Sequence, residues 1–108
     1  MKTLKFKDHL ANMILAGNKD VTWRLFDDKD LSVGDEVVFI NKDTGNEFGT
    51  ATLIHIREKA LGDIEESDFN GHEKFESLDA MYQNYVNYYG DKVTPETVVK
   101  IIKFDFSK

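Results

Sequence analysis

The sequence predicts an α+β domain, a small mixed β-barrel of about five strands with helices inserted after the first strand and before the last. Three observations predict it. Short apolar runs alternate with a period of two, as strands with one buried face require. Gly- and Asp-containing turns separate several of these runs. Two other stretches carry apolar residues at helical spacing, and their positions suit an α+β arrangement better than a parallel βαβ sheet.

The elements follow in order. "TLKFK" (3–7) alternates and reads as a strand. "DHLANMILAG" then puts Leu10, Met13 and Ile14 on one helical face, with Asp8 the expected N-cap and Gly17 the C-cap. "VTWRLF" (21–26) alternates Val21, Trp23 and Leu25 against Thr22, Arg24 and Phe26. "LSVGDEVVFI" supplies a Gly-Asp turn before a strand at about 36–41, "DTGN" (43–46) a second turn, and "EFGTATLIHI" a strand from 47 to about 56. The stretch 61–90 is expected to hold a short acidic helix near 62–68 and a turn at Asn70-Gly71. A longer helix follows over about 77–89, capped by Ser77 and stopped by Gly90. "ETVVKIIKFDF" closes the barrel, with Ile102, Phe104 and Phe106 on one face. Val38, Ile40, Leu53, Ile102 and Phe104 are expected to fill the interior.

Length and composition exclude several classes. A chain of 108 residues reads as one domain over 1–108 and can bury about two-thirds of its unfolded surface. It contains no cysteine, which removes disulfides and thiolate metal sites and suits the cytoplasm. No apolar run reaches the roughly 18 residues of a membrane helix, and "MKTLKFKDHL" lacks the apolar core of a signal peptide, so an unexported protein without a membrane partner is expected. Fourteen Lys and Arg against 20 Asp and Glu leave a formal net charge of -6, which disfavours long duplex DNA as a partner. A small cationic pocket for one nucleotide or a short RNA loop stays compatible with that balance. His9, His55 and His72 show no ligand spacing, so neither a metal nor another cofactor is expected. A monomer is expected.

Two segments carry a family resemblance. "ILAGNKDVTWRLFDDKDLSVGDEVVF" resembles the opening signature of the ASCH domain, a branch of the PUA-like β-barrels: a helix ending in Gly-x-Lys, a strand carrying Arg, then a Val-Gly-Asp turn. "GHEKFESLDAMYQNYVNYYG" resembles the family's Glu-x-Phe segment and the amphipathic helix after it. The resemblance spans nearly the whole chain and implies a pocket between barrel and helices suited to RNA or a nucleoside. One branch of small bacterial ASCH proteins hydrolyses the acetyl amide of N4-acetylcytidine, and its functional lysine, threonine and glutamate fall on Lys19, Thr22 and Glu73. The chain departs from that branch at Asp20, where a threonine follows the lysine, and at Trp23, where a small aliphatic stands.

The chemistry of this residue set leaves two assignments open. Amide hydrolysis needs a nucleophile, a base to take its proton and a donor to the developing oxyanion. Lys19 serves as base only when neutral; desolvation favours that form and an ionised Glu73 nearby opposes it. In the other assignment Glu73 is the base and Lys19 the cationic donor. Positions 19 and 22 have opposite parity, so they converge only if the chain turns at 18–20. A non-catalytic RNA-binding module and a small ribonuclease, with Lys19 and Glu73 acting on RNA, are the alternatives to the amidohydrolase.

Each candidate also has a structural reading. Lys19 follows a helix end and suits its dipole; Thr22 is an ordinary strand residue. Arg24 is either a ligand contact or an ion-pair partner of Asp27, Asp28 or Glu73. Trp23 shares parity with Val21 and Leu25 and so reads as core as well as binding surface. Tyr82, Tyr85 and Tyr89 form one helical stripe that reads as a docking face, while Tyr85 or Tyr88 could stack on a base. Arg24, Trp23 and Tyr85 are the expected ligand-binding residues.

Overall fold

Five strands form one curled sheet in the computed structural model, which describes residues 2–26, 29–69, 75 and 77–107. They are β1 (Lys2–Phe6), β2 (Val21–Leu25), β3 (Glu36–Asn41), β4 (Glu47–Ala60) and β5 (Val98–Ser107), in the spatial order β1-β3-β4-β5-β2. β1 and β3 are parallel; every other pair is antiparallel. Helix α1 (Asp8–Leu15) follows β1, and helix α2 (Leu78–Tyr89) precedes β5. The α+β class and the two helix insertion points are as expected from the sequence, and the sheet expected as a small barrel is a curled half-barrel.

The local signals act where they were expected to. Ser77 caps α2, its side chain accepting from the Ala80 N–H, and Gly90 ends the helix at a φ of 92°. Gly17, at a φ of 81°, turns the chain out of α1: its N–H donates to the Ile14 carbonyl and the Asn18 N–H to that of Met13, a Schellman closure. Three expectations need correction. The N-cap of α1 is Lys7, not Asp8; the Asp8 carboxylate instead accepts from Asn41, and the Asp43 carboxylate takes the Asp8 N–H at 2.8 Å. The acidic stretch near 62–68 forms two 3-10 turns, Leu61–Asp63 and Glu66–Phe69, rather than an α-helix. β4 continues to Ala60 rather than ending near Ile56: its first residues pair with β3, and from Thr50 to Ala60 it runs along β5 across a register shift between Leu53 and His55. The turn expected at Asn70-Gly71 lies outside the described residues.

Hydrophobic clusters cover both faces of the sheet. Leu4, Phe6, Ala11, Ile14, Val37, Phe39, Leu53, Ile102 and Phe104 belong to the first, against α1. Val21, Trp23, Leu25, Leu61, Ile64, Met81, Tyr85, Val99 and Ile101 belong to the second, beneath α2 and the 3-10 turns. The consecutive residues Ile101 and Ile102 fall in different clusters because successive strand residues point to opposite faces. Leu53, Ile102 and Phe104 are buried as expected, but Val38 and Ile40 are only half-buried and Val37 and Phe39 take the interior. The run "VVFI" is apolar at both parities, so its pattern cannot choose a face. Packing chooses: Val37 pairs with Ala51 and Phe39 with Gly49, setting each large side chain opposite a small one. At Gly49 a Cβ would come within 2.5 Å of the Phe106 ring and 2.6 Å of the Ser107 carbonyl, so this position needs glycine.

The strand order leaves β1 and β2 at opposite ends of the sheet, and the curl brings them together. Side-chain chemistry, not a strand ladder, bridges them: Arg24 of β2 donates through Nη2 to the Lys5 carbonyl of β1 at 3.0 Å. Its guanidinium also lies over the Phe6 ring, 4.7 Å from the centroid.

Candidate functional site

A cavity of about 150 Å³ opens at this seam. That is roughly the volume of a cavity that holds a benzene ring, so one planar six-membered ring fits. The two edge strands supply Lys5, Phe6, Thr22, Trp23 and Arg24; α1 and its N-cap supply Lys7, His9 and Leu10; and α2 supplies Asn84, Tyr85, Tyr88 and Tyr89. Lys19 and Phe75 complete the lining among the described residues.

Lys19 reaches the cavity because of the turn at Gly17. The turn ends α1 and delivers the chain to β5, where the Asp20 carbonyl accepts from the Phe104 N–H at 3.0 Å. Lys19 is then only 3% exposed, and its Nζ donates to the Val21 carbonyl at 2.7 Å. Thr22 is 4% exposed on the face of β2 opposite Val21, Trp23 and Leu25. The change of chain direction removes the parity obstacle between positions 19 and 22.

Trp23 and Tyr85 are both core and cavity wall. Their rings stack with an interplanar angle of 18° and centroids 6.2 Å apart, and Tyr85 stacks in the same way on Tyr89. Burial pushes the Tyr89 phenol above its ordinary range, outweighing the nearby Arg24 guanidinium, so Tyr89 stays a neutral hydroxyl at physiological pH. Tyr82 turns away from the cavity and donates to the Val93 carbonyl at 2.9 Å. Tyr88 is exposed at the rim, its ring approached by the Lys7 and Lys42 ammonium groups at 5.4 and 4.7 Å.

Behind Trp23 the wall is held by an ion-pair network. Phe69 packs on the indole with centroids 5.0 Å apart, and the turn carrying it is fixed by Asp68. The Asp68 side chain is 2% exposed and meets Arg57 through one oxygen and Lys59 through the other, the latter also accepting from the Glu65 N–H at 2.7 Å. Burial raises its pKa, but Lys59, the Glu65 N–H and Arg57 together outweigh that and hold the carboxyl at about 2.

The fold thus brings Lys19, Thr22, Trp23, Arg24 and Tyr85 to one cavity. Glu73 lies outside the described residues, as do Asp27 and Asp28, the other carboxylates weighed as partners of Arg24. Sequence reading missed Lys5, Lys7, His9 and Asn84. Lys5 and Lys7 alternate with the buried Leu4 and Phe6 and look like an ordinary solvated strand edge; only the closure of the seam makes them part of a site. Among the described residues no group of three or more His, Asp or Glu could hold a metal ion, and no helix is long and apolar enough to cross a membrane.

No family model and no curated protein matches the sequence. Solved structures do match over almost the whole chain. A protein of Enterococcus faecalis from the DUF984 family model superposes with a TM-score of 0.82 at 12% identity, over 99% of this chain and 76% of that one. An ASCH domain from Lactobacillus crispatus gives 0.71 at 16% identity, over 97% and 79%. ASCH from Zymomonas mobilis gives 0.68 at 13%, over 95% and 65%. At such identities the likeness establishes the fold.

Proposed function

We propose that this chain, whose fold is that of the ASCH domains, takes one base of an RNA or modified nucleoside into the seam cavity and hydrolyses an N-acyl amide on cytidine. Lys19, Thr22 and Glu73 are the reacting set; Arg24, Trp23 and Tyr85 bind the base. The observation that carries the reading is the company Lys19 and Thr22 keep. An ammonium-bearing side chain and a hydroxyl, both almost fully removed from water, line a ring-sized cavity walled by stacked aromatics. The Val21 carbonyl fixes the Lys19 ammonium in place, and a fixed cation and a hydroxyl on the lining of one ring-sized cavity favour a chemical role.

In the reaction an oxygen, from Thr22 or from a water that Thr22 orients, attacks the acyl carbon. The C–O bond forms, the carbon–nitrogen bond to the cytosine amino group breaks, and that nitrogen leaves with a proton; where the oxygen is that of Thr22, a water then hydrolyses the acyl-threonine ester, releasing acetate and restoring the hydroxyl. Two assignments share the residue set: neutral Lys19 takes the attacking proton, or ionised Glu73 takes it while Lys19 donates to the oxyanion. The stacked Trp23 and Tyr85 supply planar surface for the base, and the Arg24 fork supplies donors at the seam. The reading is of a monomer working in the cytoplasm, which a cysteine-free chain suits.

Incubation with N4-acetylcytidine and measurement of released acetate tests it. Release by wild type, lost in Lys19→Met, supports the amidohydrolase. Binding of the nucleoside without release leaves a binding module that uses the aromatic walls and Arg24. Cleavage of an RNA strand by the same residues assigns a ribonuclease.

A further inference from the structure

The charge of the cavity opposes the charge of the chain. The chain carries a formal -6, yet the described lining holds Lys5, Lys7, Lys19 and Arg24 and no Asp or Glu. A Glu73 carboxylate at the site would offset one of these four. Lys42 extends the positive rim, its Nζ donating to the Tyr88 hydroxyl at 3.1 Å. Asp8 and Asp43 are engaged elsewhere, Asp8 with Asn41 and Asp43 with the first N–H of α1, and neither lines the cavity. A neutral nucleoside makes no use of such a rim. Lys5 and Lys7, exposed on the lining of one small opening, repel one another, a cost an anionic ligand offsets.

We infer that the site is built for a phosphorylated ligand: a pyrimidine nucleotide whose base enters the cavity while its phosphate meets Lys5 and Lys7 at the exposed rim. This rests on the base-binding reading above and narrows its substrate class from nucleoside to nucleotide. Lys19 and Arg24 are positioned deeper, in contact with the Val21 and Lys5 carbonyls and the Phe6 ring, so they belong to the base end. Lys5 and Lys7 are exposed, and an ammonium binds phosphate as a point charge without demanding a fixed fork geometry. The phosphate comes from a free mononucleotide or from a single strand; both present the same group.

Titration followed by NMR tests this, with signals of both protein and ligand observed so that any turnover is seen. The probes are N4-acetylcytidine, its 5′-monophosphate, a cytidine trinucleotide and inorganic phosphate. The monophosphate is expected to bind wild type at least about tenfold more tightly than the nucleoside at low salt, a preference that weakens as salt rises. In the Lys5→Gln/Lys7→Gln variant, which keeps most of each side-chain stem, that ratio falls towards one. A trinucleotide that outbinds the mononucleotide identifies a strand as the source, and the reverse a free nucleotide; either supports the inference. Equal affinity for nucleoside and monophosphate in wild type overturns it while leaving the nucleoside pocket intact. Inorganic phosphate binding as tightly as the monophosphate overturns it as an unselective anion patch, and failure of every base-containing probe overturns both readings.

Discussion

Replacing Asp68 by asparagine tests how the aromatic wall is held. The substitution keeps the size of the side chain and removes its charge, so Arg57 and Lys59 lose their counter-ion while the fold has nothing to fill. A carboxyl held at about 2, against 3.8 ordinarily, contributes on the order of 2 kcal/mol at neutral pH. Arg57 is 42% and Lys59 25% exposed, so both recover hydration in the variant and the loss stays near that figure rather than the larger penalty of stranding a buried charge. The sign follows from the direction of the shift. A depressed carboxyl stabilises fully above its unfolded pKa, and the contribution fades as pH falls through the folded value. Wild type is therefore expected to exceed Asp68→Asn by roughly 2 kcal/mol at pH 7, by about half of that at pH 3, and by little at pH 2. Urea unfolding followed by tryptophan fluorescence is the assay, and it reads the site directly because the single tryptophan is Trp23. A difference that is the same at pH 7 and pH 3, or absent at pH 7, refutes the assignment of Asp68 as the ionic pin of this wall.

Three further outcomes are expected. Thr22→Val removes the hydroxyl but keeps the shape, so acetate release is expected to fall by roughly 10²-fold or more with ligand affinity nearly unchanged; full activity would leave Lys19 and Glu73 acting on a water, and Glu73→Gln then separates base from donor by its pH–rate profile. Gly49→Ala drives a methyl into the Phe106 ring and the Ser107 carbonyl and is expected to cost about 1–3 kcal/mol in chemical denaturation; a neutral result would mean the β4–β5 packing is looser than described. Arg24→Met unties the β1–β2 seam, so amides of both edge strands are expected to exchange faster while those of β4 do not; unchanged exchange would show that the bridge to Lys5 holds nothing.

Much of the architecture was legible in the sequence, for local reasons. Period-two runs, Gly-Asp turns, the Ser77 cap and the Gly17 and Gly90 stops act within a few residues of themselves, so the number and order of the strands and the places of the two α-helices follow from the chain alone. Trp23, Val21 and Leu25 were assignable to one face because polar residues occupy the alternate positions. The family signatures further singled out Lys19, Thr22 and Arg24, which the fold does bring to one cavity.

Other features depend on partners distant in sequence. Which face of "VVFI" is buried was decided by Ala51 and Gly49 across the β3–β4 ladder, not by the run itself. Asp68 became a buried anion only because β4 runs on to carry Arg57 and Lys59 beneath it. The seam is the clearest case: Lys5 and Thr22 lie on strands at opposite ends of the sheet order, and nothing local announces that the curl will make them neighbours. Short-range signals specify elements because their energies are local; a site assembled from two sheet edges and two helices exists only once long-range packing has closed the sheet.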